Sequence, residues 1–208
     1  MATIKENQRK RIEHLYYKQK FSVSEIAREL NVGLWSVYYF MRRHGLYRRS
    51  YSEFNKVRFE KKTPSFTVRP RLQLRDKELR AAGAMLYWAE GYKSGKASFL
   101  DLANSDPEMI TIFLDFLRSI FKIDESKLRV FLYCYADQNV DGLMRFWSRI
   151  TKIPRKQFTK PYVRNDFRAG GKKMKYGLIH IRYMDKKLLL ELKRLIEYYK
   201  KRFTQVVP

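Results

Sequence analysis

The chain has 208 residues, with 45 Lys and Arg against 21 Asp and Glu, a formal net charge of +24. Self-repulsion at that excess points to a polyanionic partner. Nucleic acid fits better than a membrane, because no apolar run approaches the ~20 residues of a spanning helix. One cysteine, Cys134, and three scattered histidines, His14, His44 and His180, exclude a disulfide framework and a cysteine-based zinc site. The N-terminus carries no signal-peptide pattern, so a cytoplasmic location is expected, nucleoid-associated in a prokaryote.

The charge is uneven: net +12 over residues 1–75, −2 over 76–139 and +14 over 140–208. Two basic parts flanking a near-neutral middle suggest two nucleic-acid-facing surfaces rather than one basic tail. Residues 7–18 predict a first helix, with Ile12, Leu15 and Tyr16 at helical spacing. Ser22 with Glu25 three residues later is a capping box that opens a second helix buried through Ile26, Ala27 and Leu30. Asn31-Val32-Gly33 turns the chain, and a third helix runs from Leu34 to about His44, stopped by Gly45.

The spacing of Glu25-Ile26-Ala27, Leu30, Val32, Val37 and Met41 resembles a helix-turn-helix of the resolvase or homeodomain-like kind. In that motif the second helix of the pair enters the major groove. Trp35, Ser36, Tyr38, Tyr39, Arg42 and Arg43 are the third-helix residues left free of the core. They are the expected DNA contacts, joined by Arg48 and Arg49 as an arm along the backbone or in a minor groove. The alternatives are a three-helix module that binds protein, and a solvated tether in place of the arm.

Residues 1–47 are therefore expected to form the helix-turn-helix module, 48–76 a basic linker with Pro64 and Pro70, and 77–208 a second domain. That domain opens with an apolar helix, LRAAGAMLYWAEGYK, from Leu79 to Lys93, with Gly91 suited to the left-handed position past its end. Strands are expected over Lys96–Asn104, Leu128–Ala136, Phe158–Arg164 and Gly177–Met184. Helices are expected after Asp106, over Asp141–Lys152 and from Lys186 to about Arg202, with a Gly-Gly and lysine loop (Arg168, Gly170, Gly171, Lys172, Lys173, Lys175) before the fourth strand. The whole is α+β: a four-stranded, mostly antiparallel sheet covered by helices on one face. Its open face would carry Arg129, Tyr133, Tyr135, Lys160, Arg164, His180 and Arg182, either a saddle for a DNA groove or an ordinary hydrophilic face. RNA binding by the same aromatic sheet is a third possibility.

The stretch Leu86-Tyr87-x-Ala89-Glu90-Gly91-x-Lys93 resembles the LAGLIDADG helix of homing endonucleases, and the likeness extends loosely from about 77 to 203. The resemblance implies two such helices packed side by side, here in a homodimer through the 79–91 helix, with Glu90 as ligand of a catalytic Mg²⁺. Lys93 would polarise water or offset charge on the scissile phosphate. Met85 stands where the family has its first seam glycine, and Trp88 where it has an aspartate. Met85 favours a DNA-binding regulator that keeps the domain as a platform. Glu90 and Lys93 together favour an active Mg-dependent endonuclease.

Overall fold

The computed structural model describes residues 4–165 and 174–204, so Arg168, Gly170, Gly171, Lys172 and Lys173 of the expected lysine loop lie outside the described residues. The chain divides into two compact units, 1–63 and 64–208. Among the described residues the architecture is α+β, with eight α-helices and one four-stranded mixed sheet. No described helix is long and apolar enough to cross a membrane.

In the first unit, α1 (Arg9–Glu13) continues through a wider helical turn over His14–Lys18. Lys20, in the left-handed region, ends it. The expected capping box then forms: Glu25 N–H donates to Ser22 Oγ (3.2 Å) and Ser22 N–H to Glu25 Oε2 (2.6 Å). The Ser22 N–H, an anchored donor, holds the Glu25 carboxyl below its ordinary range. It opens α2 (Val23–Glu29), and a turn through left-handed Asn31 leads to α3 (Leu34–Arg43). Ile12, Leu15, Tyr16, Val23, Ile26, Ala27, Val37, Phe40 and Met41 are buried together. This is the periodicity of three short helices satisfied in one small core.

The stretch expected to be a linker is largely structured. A second capping box, Ser50 with Glu53, starts α4 (Tyr51–Lys61). This helix buries no residue and has no apolar stripe, so hydrophobic periodicity does not reveal it. Ion pairs from Glu60 to Lys20 (2.7 Å) and from Lys61 to Glu25 (3.9 Å) tie it to the rest of the first unit. Beyond Pro64 the chain belongs to the second unit: Thr67 N–H and Arg69 N–H donate to the carbonyls of Phe121 and Ile120, and Ser65 N–H to Asp185 Oδ2.

In the second unit α5 (Leu74–Glu90) starts earlier than the apolar run, because Gln73 and Asp76 form its N-terminal box and Arg69 pairs with Asp76 at 2.9 Å. Then follow β1 (Leu100–Asn104), α6 (Pro107–Phe121), β2 (Leu128–Tyr135), α7 (Val140–Thr151), β3 (Tyr162–Arg164), β4 (Leu178–Tyr183) and α8 (Lys186–Phe203). The sheet order is β1-β4-β2-β3; β4 is antiparallel to β1 and β2, and β3 runs parallel to β2. The third strand is shorter than expected, with Phe158 touching the ladder only through an isolated bridge to Val130. Leu128, Val130, Leu132, Cys134, Ile179, Ile181 and Tyr183 turn inward onto Phe113, Leu117, Trp147 and Leu188 of the helices, which lie on that face. Cys134 is buried there, and burial pushes its thiol pKa up.

The small residues of α5 divide between two faces. Gly83 and Ala84 are buried, and a Cβ at Gly83 would lie 2.1 Å from the Phe116 ring of α6. Ala82 and Ala89 are exposed. Gly91 is extended (φ −75°, ψ 151°), not left-handed as expected. Glycine is needed there for space: a Cβ would meet the Tyr87 ring and carbonyl at 2.5 Å.

Two changes test these packing arguments by chemical denaturation of the full chain. Gly83→Ala should lose about 1–3 kcal/mol of stability, the usual cost of forcing an extra carbon into a packed core. Arg49 donates to the Tyr16 carbonyl and to the Phe21 carbonyl (2.9 Å), with its guanidinium 4.1 Å over the Tyr16 ring. Arg49→Ala should cost about 1–3 kcal/mol, since hydrogen bonds to a charged donor are lost at a half-buried site.

Candidate nucleic-acid interface

Each unit presents an exposed surface of its own. On α3 the inward residues Val37, Phe40 and Met41 fix which side faces out. Trp35 and Tyr39, one turn apart, are 70% and 69% exposed, and Arg42 and Arg43 are exposed beside them. Ser36 and Tyr38 are half-buried. The rings of Trp35 and Tyr38 stand 5.5 Å apart, and the Arg48 guanidinium lies 4.1 Å over Tyr38. Trp35, Tyr38, Tyr39, Arg42, Leu46 and Arg48 line a shallow concavity. Arg48 and Arg49, expected as one arm, therefore part company. Arg48 joins the aromatic surface. Arg49 is folded onto the Tyr16 and Phe21 carbonyls, and its own N–H donates to the Tyr16 hydroxyl (2.8 Å). Both changes have one cause: a guanidinium carries several fixed donors and a flat face, so it settles on carbonyls and rings within reach.

The outer sheet face of the second unit is less uniformly basic than its residue list suggests. Register places Asp101, Arg182 and Arg129 in one row, Ala103, His180 and Phe131 in the next, and Leu178, Tyr133 and Tyr162 beyond. Asp101, only 5% exposed, accepts from Arg182 Nε at 2.6 Å and lies 3.0 Å from His180 Nδ1. An ionised Asp101 makes Nδ1 the protonated ring nitrogen and leaves Nε2 for another partner. Arg182 also lies 4.0 Å over the Phe131 ring and 5.1 Å over Phe99. Arg129 turns its guanidinium to the carbonyls of Ser126 and Leu128.

The centre of this face is thus aromatic. Tyr133 stands 5.0 Å from the His180 ring and 5.3 Å from Tyr162. Lys160 and Arg164 are exposed along the β3 edge. Asp101 is the residue that sequence reasoning missed. Its signal is the alternation Leu100-Asp101-Leu102, which sets a carboxylate on the face opposite two buried leucines.

Glu90 is the last residue of α5 and is exposed; its carboxylate is paired with no described residue. The chain steps directly from it to the sheet edge: Gly91 bridges to Leu102, and Tyr92 N–H donates to the Asp101 carbonyl at 2.8 Å. Tyr87, whose hydroxyl donates to the Tyr92 carbonyl (3.0 Å), anchors this step, and burial pushes its phenol to about 12. Lys93 is exposed, with Nζ 3.4 Å from the Ala89 carbonyl at the helix end. Among the described residues no three His, Cys, Asp or Glu side chains cluster as metal ligands. Among the described residues Glu90 stands as a single carboxylate, while Mg²⁺ sites combine one or two carboxylates with oxygens of substrate and water.

Asp101→Asn should lower stability by about 1–3 kcal/mol in denaturant unfolding, the range for breaking a buried ion pair reduced for the partial exposure of its two cationic partners. The Asp101→Ala/His180→Ala double-mutant cycle should show a coupling that Asp101→Ala/Lys160→Ala lacks.

Compared with protein-family models, curated proteins and solved structures, the chain gives no match.

Proposed function

We propose that the chain is a site-specific binder of double-stranded DNA. Its first unit acts as a helix-turn-helix that reads bases through α3, and its second unit, a LAGLIDADG-like domain, lays the outer sheet face along the duplex. The observation that carries this reading is the exposed face of α3, where Trp35, Tyr39, Arg42 and Arg43 stand out from a core that closes behind them, in a chain of net charge +24. A helix with that shape fills a major groove, and the charge supplies phosphate neutralisation. The exposed Lys160 and Arg164 edge beside the Tyr133 and Tyr162 rings supports a second contact.

Binding to duplex DNA should weaken as salt rises, with log affinity falling about 0.9 per phosphate contact against log salt. Fluorescence anisotropy across a salt series measures the slope. A slope near zero, or a clear preference for RNA, overturns the reading. Ser36→Ala/Arg42→Ala should flatten discrimination between sites by about 1–3 kcal/mol for a lost bidentate contact. Arg48→Ala should weaken all sites alike.

A second reading, Mg-dependent cleavage by a homodimer, is favoured by one observation: Glu90 is exposed at the end of α5, paired with no described residue, three residues before Lys93. It requires a second copy to bring a second Glu90 across a symmetry axis. The seam would run through Ala82, Met85, Leu86 and Ala89, because Gly83 and Ala84 already pack inside. Strand breaks on the selected duplex in Mg²⁺, abolished by Glu90→Gln with binding retained, would establish it. Tight binding with both strands intact in Mg²⁺ and Mn²⁺ decides for the regulator.

A further inference from the structure

We infer that the aromatic ridge of α3 selects thymine, through apolar contact of Trp35 and Tyr39 with 5-methyl groups in the major groove. The inference rests on the reading of the first unit as a duplex-DNA binder and names what that unit recognises. Trp35 and Tyr39 are 70% and 69% exposed at positions i and i+4 of one helix, and Arg42 continues the same stripe a turn later. Both large rings stand mostly in water, outside the core that Val37, Phe40 and Met41 fill behind them.

Charge names the occupant. Arg42 and Arg43 are exposed alongside the rings, and the Arg48 guanidinium sits over Tyr38 at the rim of the same concavity. Arg42 and Arg48 line the same concavity as the rings, and rings set among arginines suit a polyanion that offers apolar groups between its phosphates. Duplex DNA does so at one place: the thymine methyl, which projects into the major groove.

The dimensions agree. Residues i and i+4 are separated by about 6 Å along a helix, close to the rise of about two base pairs at ~3.4 Å each. Each ring can therefore meet its own step. Over a G·C pair the same rings would strip water from the guanine O6 and cytosine amino group without replacing its hydrogen bonds, which is unfavourable. Over A·T they cover a methyl, and the Tyr39 hydroxyl can still reach a neighbouring acceptor.

The test uses the full chain and its own selected sites. A randomised duplex pool is enriched for binding, and the recovered site is made twice, once with thymidine and once with deoxyuridine at every thymidine position. Uracil keeps the hydrogen-bonding pattern and removes only the methyl. Burial of one such carbon corresponds to about fourfold in affinity, so two contacts should make the thymidine duplex tighter by about tenfold or somewhat more. Trp35→Ala/Tyr39→Ala should bind both duplexes with a ratio near one, while Trp35→Phe should keep part of the preference. The exposure of both residues lets these variants fold, and matched thermal unfolding of variant and parent verifies it. Equal affinity of the unsubstituted protein for the two duplexes overturns the inference and leaves DNA binding standing. So does an enriched site without A·T steps, or a ratio that the double substitution leaves unchanged. A preference for single strands, or no binding to any duplex, overturns both readings.

Discussion

The second unit depends on how the chain leaves α5. Gly91 pairs with Leu102 and Tyr92 donates to the Asp101 carbonyl, so the helix end is fastened to the sheet edge with no loop between. That junction tolerates no side chain at Gly91, because Tyr87 occupies the space. Asp101 then serves twice. Its backbone carbonyl holds the helix exit, and its side chain holds Arg182 and His180 on the outer face. The position of Glu90 and the electrostatics of the sheet are thus set by one strand residue. A carboxylate so nearly buried persists because two charge-assisted contacts offset its desolvation.

In the first unit the division of labour is among arginines. Arg49 completes the fold by donating to the Tyr16 carbonyl in the last helical turn and to the Phe21 carbonyl in the turn that follows. Its neighbour Arg48 rests on a ring at the surface. Adjacent residues of one type thus fall on opposite sides of the line between interior and surface, and composition cannot draw that line. On the sheet, Arg129 and Arg182 likewise turn to carbonyls and a carboxylate of their own unit.

Much of the architecture was legible in the sequence. The second helix follows from its capping box, β2 and β4 from strict alternation, and α6 and α7 from apolar stripes that the core then uses. What escaped has physical reasons. Helix α4 lacks any buried residue, so only Ser50 and Glu53 announced it. The segment 65–69 is held by backbone bonds to Ile120 and Phe121, which leave no trace in side-chain periodicity. Gly91 was read for its conformational freedom when its role is to make room. Of the six α3 residues read as free of the core, Trp35, Tyr39, Arg42 and Arg43 are exposed, while Ser36 and Tyr38 are half-buried and Tyr38 packs against the core. The Asp101 clamp was not legible, because it needs the register between β1 and β4, which no local pattern encodes.

Cys134 has a bearing on how such a chain can be followed. It is the only thiol in 208 residues, it lies on the inward face of β2, and burial weakens its acidity further. The thiolate is the reactive form, so an alkylating reagent meets an inert residue while that sheet holds. Its rate of modification therefore becomes a clock for the opening of the second unit alone, and one that needs no engineered reporter.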